Sequence, residues 1–194
     1  MLVTNEQMRY VFDADGLIAL YDPEHPNHNK ASTILQKLDD ANAEAILPYT
    51  AVCEAVTIFQ RGWIDDRPGT RRKPKPHLAN FLVKKLRNSP LTYYGIPSKE
   101  IVLQALKIYE NEGFVNTWGN TLFDAIIATI AIQSQTKVVF SFDGVYSRIR
   151  KYLNVKLWLA EEVFPTTYGG PHCQDTKIGS NKSYSPPFQQ HCVL

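Results

Sequence analysis

Short apolar runs alternate with longer segments of helical periodicity from residue 9 to residue 160, and that alternation restricts the fold more than anything else in the chain. "RYVF" at 9–12, "AEAILPY" at 43–49, "LTYYGI" at 91–96, "KVVFSFD" at 137–143 and "VKLWLA" at 155–160 read as strands. Between them, 27–40 repeats apolar residues at helical spacing, with Ile34, Leu35 and Leu38 on one face. Thr50 reads as the cap of a helix that stops at Gly62. Residues 77–88 return to helix, and 98–113 form another, capped by Ser98 and stopped by Gly113. "TLFDAIIATIAIQSQ", 121–135, is apolar nearly all round and reads as a buried helix, with a short helix after it at 144–153. Strands that alternate with helices predict right-handed crossovers and a parallel sheet covered on both faces, a three-layer α/β/α domain.

Two stretches break the pattern. "WIDDRPGTRRKPKP", within a 61–76 insertion, is proline, glycine and charge, and reads as a loop. From Pro165 onward the chain is rich in Gly, Pro, Ser, Thr and Gln, which predicts a disordered tail, 165–194, outside a domain of 1–164. The domain is long enough for a sizeable core, at 194 residues in all and 44% hydrophobic. A net charge of +2 argues against a uniformly basic nucleic-acid binder, so any electrostatic footprint is local. Cys53, Cys173 and Cys192 make no disulfide framework, and Cys53 reads as a core residue. The N-terminus has no apolar signal region and no stretch is long enough to span a bilayer, which predicts a soluble, cytoplasmic protein without a membrane partner.

In an open parallel sheet, sites form outside the carboxyl ends of the strands. Asp13 ends the first strand and Asp143 the "KVVFSF" strand, so both face one crevice. Glu54 follows the second strand within the first turns of its helix. Asp124 sits in the most apolar helix, where a carboxylate is costly without a compensating partner. Each acid alone reads equally well as a turn residue or a helix-terminal charge; four near strand ends point to a joint role. Four converging carboxylates need a counter-charge, and Mg²⁺ or Mn²⁺ suits oxygen ligands.

"VFDADGLIALYDPEHPNHNKA", "TAVCEAV", "LFDAIIATIA" and "FSFDGVY" together resemble the PIN-domain nucleases, especially the VapC-type toxin ribonucleases, over residues 9 to 160. The resemblance implies a PIN-like fold and a metal site made by Asp13, Glu54, Asp124 and Asp143. Ser141 matches the small hydroxyl residue two positions before the last acid. It implies metal-dependent hydrolysis of RNA phosphodiesters, an antitoxin partner and a homodimer. The chain departs from the family at Asp15, where Ser, Thr or Asn is usual; Asp15 reads as an added ligand or a group that supports the ligands, or as a cap of the next helix. The basic insertion and the tail are additions to the pattern.

Two other readings stand beside it. "FDADG" also looks like the first motif of HAD-type phosphatases, with Asp13 as nucleophile and Asp15 as acid/base. The third is a PIN-like module that binds RNA without cleaving it. Arg71, Arg72, Lys73 and Lys75 read either as a track for RNA phosphates or as a solvated insertion. Trp63 and Trp118 read as packing residues or base-stacking platforms. The His172-Cys173 and His191-Cys192 pairs match no named zinc spacing.

Overall fold

The computed structural model describes residues 8–62, 73–88, 92–111, 121–153 and 156–165. Five strands form one sheet: β1 (Arg9–Phe12), β2 (Glu44–Pro48), β3 (Thr92–Tyr94), β4 (Val138–Phe140) and β5 (Trp158–Leu159). All neighbouring pairs are parallel, and the order across the sheet is β3-β2-β1-β4-β5. The helices are α1 (Ala14–Tyr21), α2 (His28–Asp40), α3 (Tyr49–Arg61), α4 (Pro76–Arg87), α5 (Lys99–Asn111), α6 (Thr121–Gln133), α7 (Val145–Ile149) and α8 (Ala160–Val163). A 3₁₀ turn, Arg150–Tyr152, follows α7. Helix α1 packs on α2 and α3, and α3 on α4; α5 packs on α6, and α6 on α7. The sheet lies in a mixed three-layer arrangement, as the alternation predicts.

The strand order places the crevice. From β1 the chain steps outward to β2 and β3, then returns to lay β4 on the other side of β1. The direction of winding therefore reverses between β1 and β4, and the loops that leave these two strands diverge there. Their register holds them level, with Val11 beside Val139 and Phe12 beside Phe140. Beneath the crevice, the Phe12 and Phe140 rings lie 4.9 Å apart and Tyr10 meets Phe12 edge-on at 5.3 Å. This aromatic layer is fully buried and closes the sheet end against water.

The strand-to-helix joint at β1 explains the glycine of "DADG". A Cβ at Gly16 would stand 2.1 Å from the carbonyl oxygen of Phe140, so only glycine lets the first turn of α1 pass over the end of β4. Helix α1 itself, unassigned by periodicity, is buried at every residue except Asp15. A helix so uniformly apolar shows no amphipathic stripe to read.

Several expectations change in detail. Helix α3 starts at Tyr49, directly after β2, with Pro48 at its N-cap position; Thr50 is one residue inside and does not cap. Pro48 ends the strand and opens the helix without a loop, which its fixed φ permits. Cys53 is exposed and not a core residue. Ala51, Ala55 and Phe59 form the buried face of α3 at four-residue spacing, and Cys53 lies off it. Gly62 does end α3, with φ 75° and its N–H bonded to Ile58 O at 2.8 Å. Ser98 caps α5 through its Oγ, which accepts from Ile101 N at 3.3 Å. Helix α8 was not foreseen; it follows a strand shorter than the run that suggested it. Gly113, Trp63, Trp118, most of the insertion and the tail beyond Pro165 lie outside the described residues. No helix among the described residues is long and apolar enough to cross a membrane.

Candidate functional site

Asp13 is the first residue beyond β1 and the N-cap of α1. It is 3% exposed, and both carboxylate oxygens are engaged: Ala14 N donates to Oδ1 at 2.6 Å and Ser141 Oγ donates to Oδ2 at 2.8 Å. Ser141, just past β4, also accepts from the backbone N of Asp143 at 3.0 Å. One buried hydroxyl thus ties the acid after β1 to the acid after β4. Asp143 turns its Oδ1 onto Val145 N at 2.9 Å, at the start of α7.

Asp15 lies inside the first turn of α1, so Asp13, not Asp15, caps that helix. Its Oδ2 accepts from Phe142 N at 3.1 Å, a second link between α1 and the loop after β4. Its Oδ1 lies 3.6 Å from Nε2 of His25. His25 is buried, and its Nδ1 accepts from Asn27 N at 3.1 Å, which leaves the ring proton of the neutral form on Nε2, facing Asp15. Sequence reading assigned His25 no role; the only signal was its place in the turn after α1.

Glu54 and Asp124 come from α3 and α6, which meet each other. The electrostatics join them to the strand-end acids. Burial raises the Asp13 pKa to about 7; the Ser141 hydrogen bond opposes that rise, and the charges of Asp15 and Glu54 add to it. Asp124, in the first turn of α6, is raised to about 9, by burial first and then by Asp13, Asp143, Glu54 and Asp15. Asp124 therefore holds a proton at neutral pH and Asp13 titrates around it, because burial and like charges disfavour the ionised forms. Asp124 is partly buried and keeps some surface exposure.

Asp13, Glu54, Asp124 and Asp143 are thus one electrostatic cluster, as the sequence pattern suggests. Their oxygen donors and unbalanced negative charge fit a hard divalent cation. The fit is one of chemistry and charge rather than of ready-made geometry: among the described residues, no three Asp, Glu, His or Cys side chains converge tightly enough to form a closed metal centre. Two buried hydroxyls nearby in sequence, Thr50 Oγ1 and Tyr146 Oη, have no hydrogen-bond partner. Sequence reading offers Thr50 as a helix cap and assigns Tyr146 no role.

The basic insertion divides. Arg71 and Arg72 lie outside the described residues, and Lys73 is exposed. Lys75 is already paired with two acids. Its ammonium donates to Asp22 Oδ1 at 2.6 Å and Glu24 Oε2 at 2.7 Å, with the side chain 18% exposed. Burial pulls its pKa down, but the two carboxylates outweigh it and the net shift is upward. The neighbourhood that claims Lys75 lies fifty residues earlier in the chain, out of reach of any local pattern.

Comparison with known proteins agrees with this architecture. Residues 10–152 match the PIN domain family model. The structure resembles that of VapC20 of Mycobacterium tuberculosis, described as a sarcin-ricin loop cleaving toxin, with a TM-score of 0.52 at 14% identity, over 71% of this chain and 92% of that one. It also resembles VapBC2 of Rickettsia felis, solved bound to a DNA fragment of its promoter, with a TM-score of 0.53 at 15% identity, over 78% of this chain and 97% of that one. Among curated proteins, no sequence matches significantly. The family match spans every element from β1 through the 3₁₀ turn after α7 and takes in all four clustered acids, so the chain belongs to the PIN-domain family.

Proposed function

We propose that this protein is a Mg²⁺- or Mn²⁺-dependent endoribonuclease of the VapC toxin type, held in check by an antitoxin. The observation that carries the reading is the acid cluster at the β1/β4 reversal, where burial and other carboxylates, acting together, raise Asp13 and Asp124. Acids so arranged gain most from a cation in their midst. The fold likeness to VapC20 and VapBC2 supports the substrate class and the antitoxin partner.

Asp13, Glu54, Asp124 and Asp143 would hold the ion. Bound there, a divalent cation supplies an activated water and charge neutralisation at the scissile phosphate. The chain's own residues do the rest. Ser141 keeps Asp13 and the Asp143 backbone in register. Asp15, fixed by Phe142 N and faced by His25, braces the loop after β4 on α1. Asp13 and Asp124, whose pKa values burial and the neighbouring acids raise, would release protons to a cation that binds.

A phosphatase using Asp13 as nucleophile is disfavoured by the family match, which covers the residues around Asp13. The test is direct. Purified protein incubated with structured RNA should cleave it with Mg²⁺ or Mn²⁺ and stop on chelation. Binding without cleavage, with either ion, would leave the module reading in its place.

A further inference from the structure

Tyr146 is 1% exposed, yet its phenol oxygen has no hydrogen-bond partner. Leaving a buried polar group unpaired is destabilising. A phenylalanine would fill the same volume without that cost, so the hydroxyl calls for an acceptor that arrives later. Its position says which. Tyr146 is the second residue of α7, three after Asp143, and α7 packs against α6, whose first turn carries Asp124.

The charges that act on the phenol are those of Asp13, Asp124, Asp143 and Glu54. Burial, then these acids, push its pKa well above the ordinary value, so it stays a neutral donor. Asp13 already accepts from Ala14 N and Ser141 Oγ, and Asp143 from Val145 N. Asp124 stands in the first turn of the helix that α7 packs against, and its charge acts on the phenol.

We propose that Tyr146 is a positioning residue of the acidic site, whose Oη–H donates to the Asp124 carboxylate and holds it turned toward a bound divalent cation. This rests on the nuclease reading above. It explains why a site whose acids do not close on one point among the described residues can still be completed: one acid has a donor waiting to turn it.

The test is Tyr146→Phe, which removes one oxygen, read with Mn²⁺ in the absence of RNA. Titration calorimetry should show Mn²⁺ affinity weaker by about tenfold, the scale of lost hydrogen-bond support to a metal ligand. The metal-free variant should melt at the wild-type temperature or above it, because an orphan hydroxyl is gone. With RNA, kcat should fall while KM stays unchanged. Unchanged Mn²⁺ affinity in Tyr146→Phe overturns the inference, and a lower metal-free melting temperature with that result assigns the phenol to packing. If the wild-type protein binds Mn²⁺ but cleaves no RNA, the nuclease reading fails and the affinity difference still decides the role of Tyr146. If the wild type binds no Mn²⁺, both fall.

Discussion

Asp13 and Asp22 sit at opposite ends of α1, one at its N-cap and one at its C-cap, and each is 3% exposed. Their partners differ. Asp22 has the Lys75 ammonium at 2.6 Å and accepts Glu24 N at 3.0 Å. Asp13 has a serine hydroxyl, a backbone N–H and a ring of other acids. Burial costs both carboxylates the same kind of solvation. At one end of the helix the chain supplies the opposing charge itself; at the other it adds more of the same sign. A buried acid with a built-in cation belongs to the framework. A buried acid among acids is arranged for a charge from outside.

The sharpest break in that contrast is Asp13→Asn. Cleavage of RNA should fall by at least about a hundredfold, since a metal ligand matters more than the groups that support it. The metal-free protein should keep or raise its melting temperature, because a repelled buried charge is removed. Thermal unfolding and cleavage rates measured on the same preparation check both halves; wild-type activity would remove Asp13 from the site.

Lys75→Met should do the reverse. It leaves Asp22 buried without its cation and should cost about 3 kcal/mol in urea unfolding. Cleavage per folded molecule should hold. A loss of activity at unchanged stability would mean that Lys75 serves RNA after all.

The pH dependence separates the two ends more finely. Asp13 and Asp124 bind protons more tightly folded, with pKa about 7 and about 9, than at their ordinary value of 3.8. Between those values the folded protein holds protons that the unfolded chain has released, so stability falls as pH rises. The metal-free protein should lose stability from about pH 4 to about pH 9, and Asp124→Asn should flatten the part above pH 7. Mn²⁺ affinity should rise over the same interval, as the ion displaces fewer protons. A stability curve with no such slope would count against the mutual repulsion.

The smallest effect belongs to Cys53→Ser. Exposed and off the buried face of α3, it should change stability by less than about 0.5 kcal/mol. A larger loss in chemical denaturation would show that the neighbourhood of Glu54 is packed more tightly than its exposure indicates.

Much of this was legible in the chain because it depends on local pattern. Short apolar runs and helical repeats placed β1 to β4 and most of the helices between them, and the rule that parallel strands present their carboxyl ends to one crevice brought Asp13 and Asp143 together. What escaped was decided by contacts distant in sequence. Helix α1 has no polar stripe, since both its sides meet protein. Cys53 resembles a core residue in a string but not on a helix whose buried face is set by Ala51, Ala55 and Phe59. Lys75 belongs to a basic run by composition and to Asp22 by geometry. His25 and Tyr146 carry no acid signature, and their interest comes from what they face.

The place where the basic insertion leaves and rejoins the domain has a consequence for how the protein can change. Gly62 N bonds to Ile58 O, and Lys75 N bonds to Phe59 O at 2.6 Å, so the chain departs and returns within one helical turn. The ends of 63–74 are therefore already brought together by the framework. Doubling the length of a segment closed in this way costs only about 0.6 kcal/mol in chain entropy. In closure entropy alone, a longer chain between Gly62 and Lys75 would therefore add little cost to the helices that carry the acids, because the joint that fixes its two ends is built into α3 and α4.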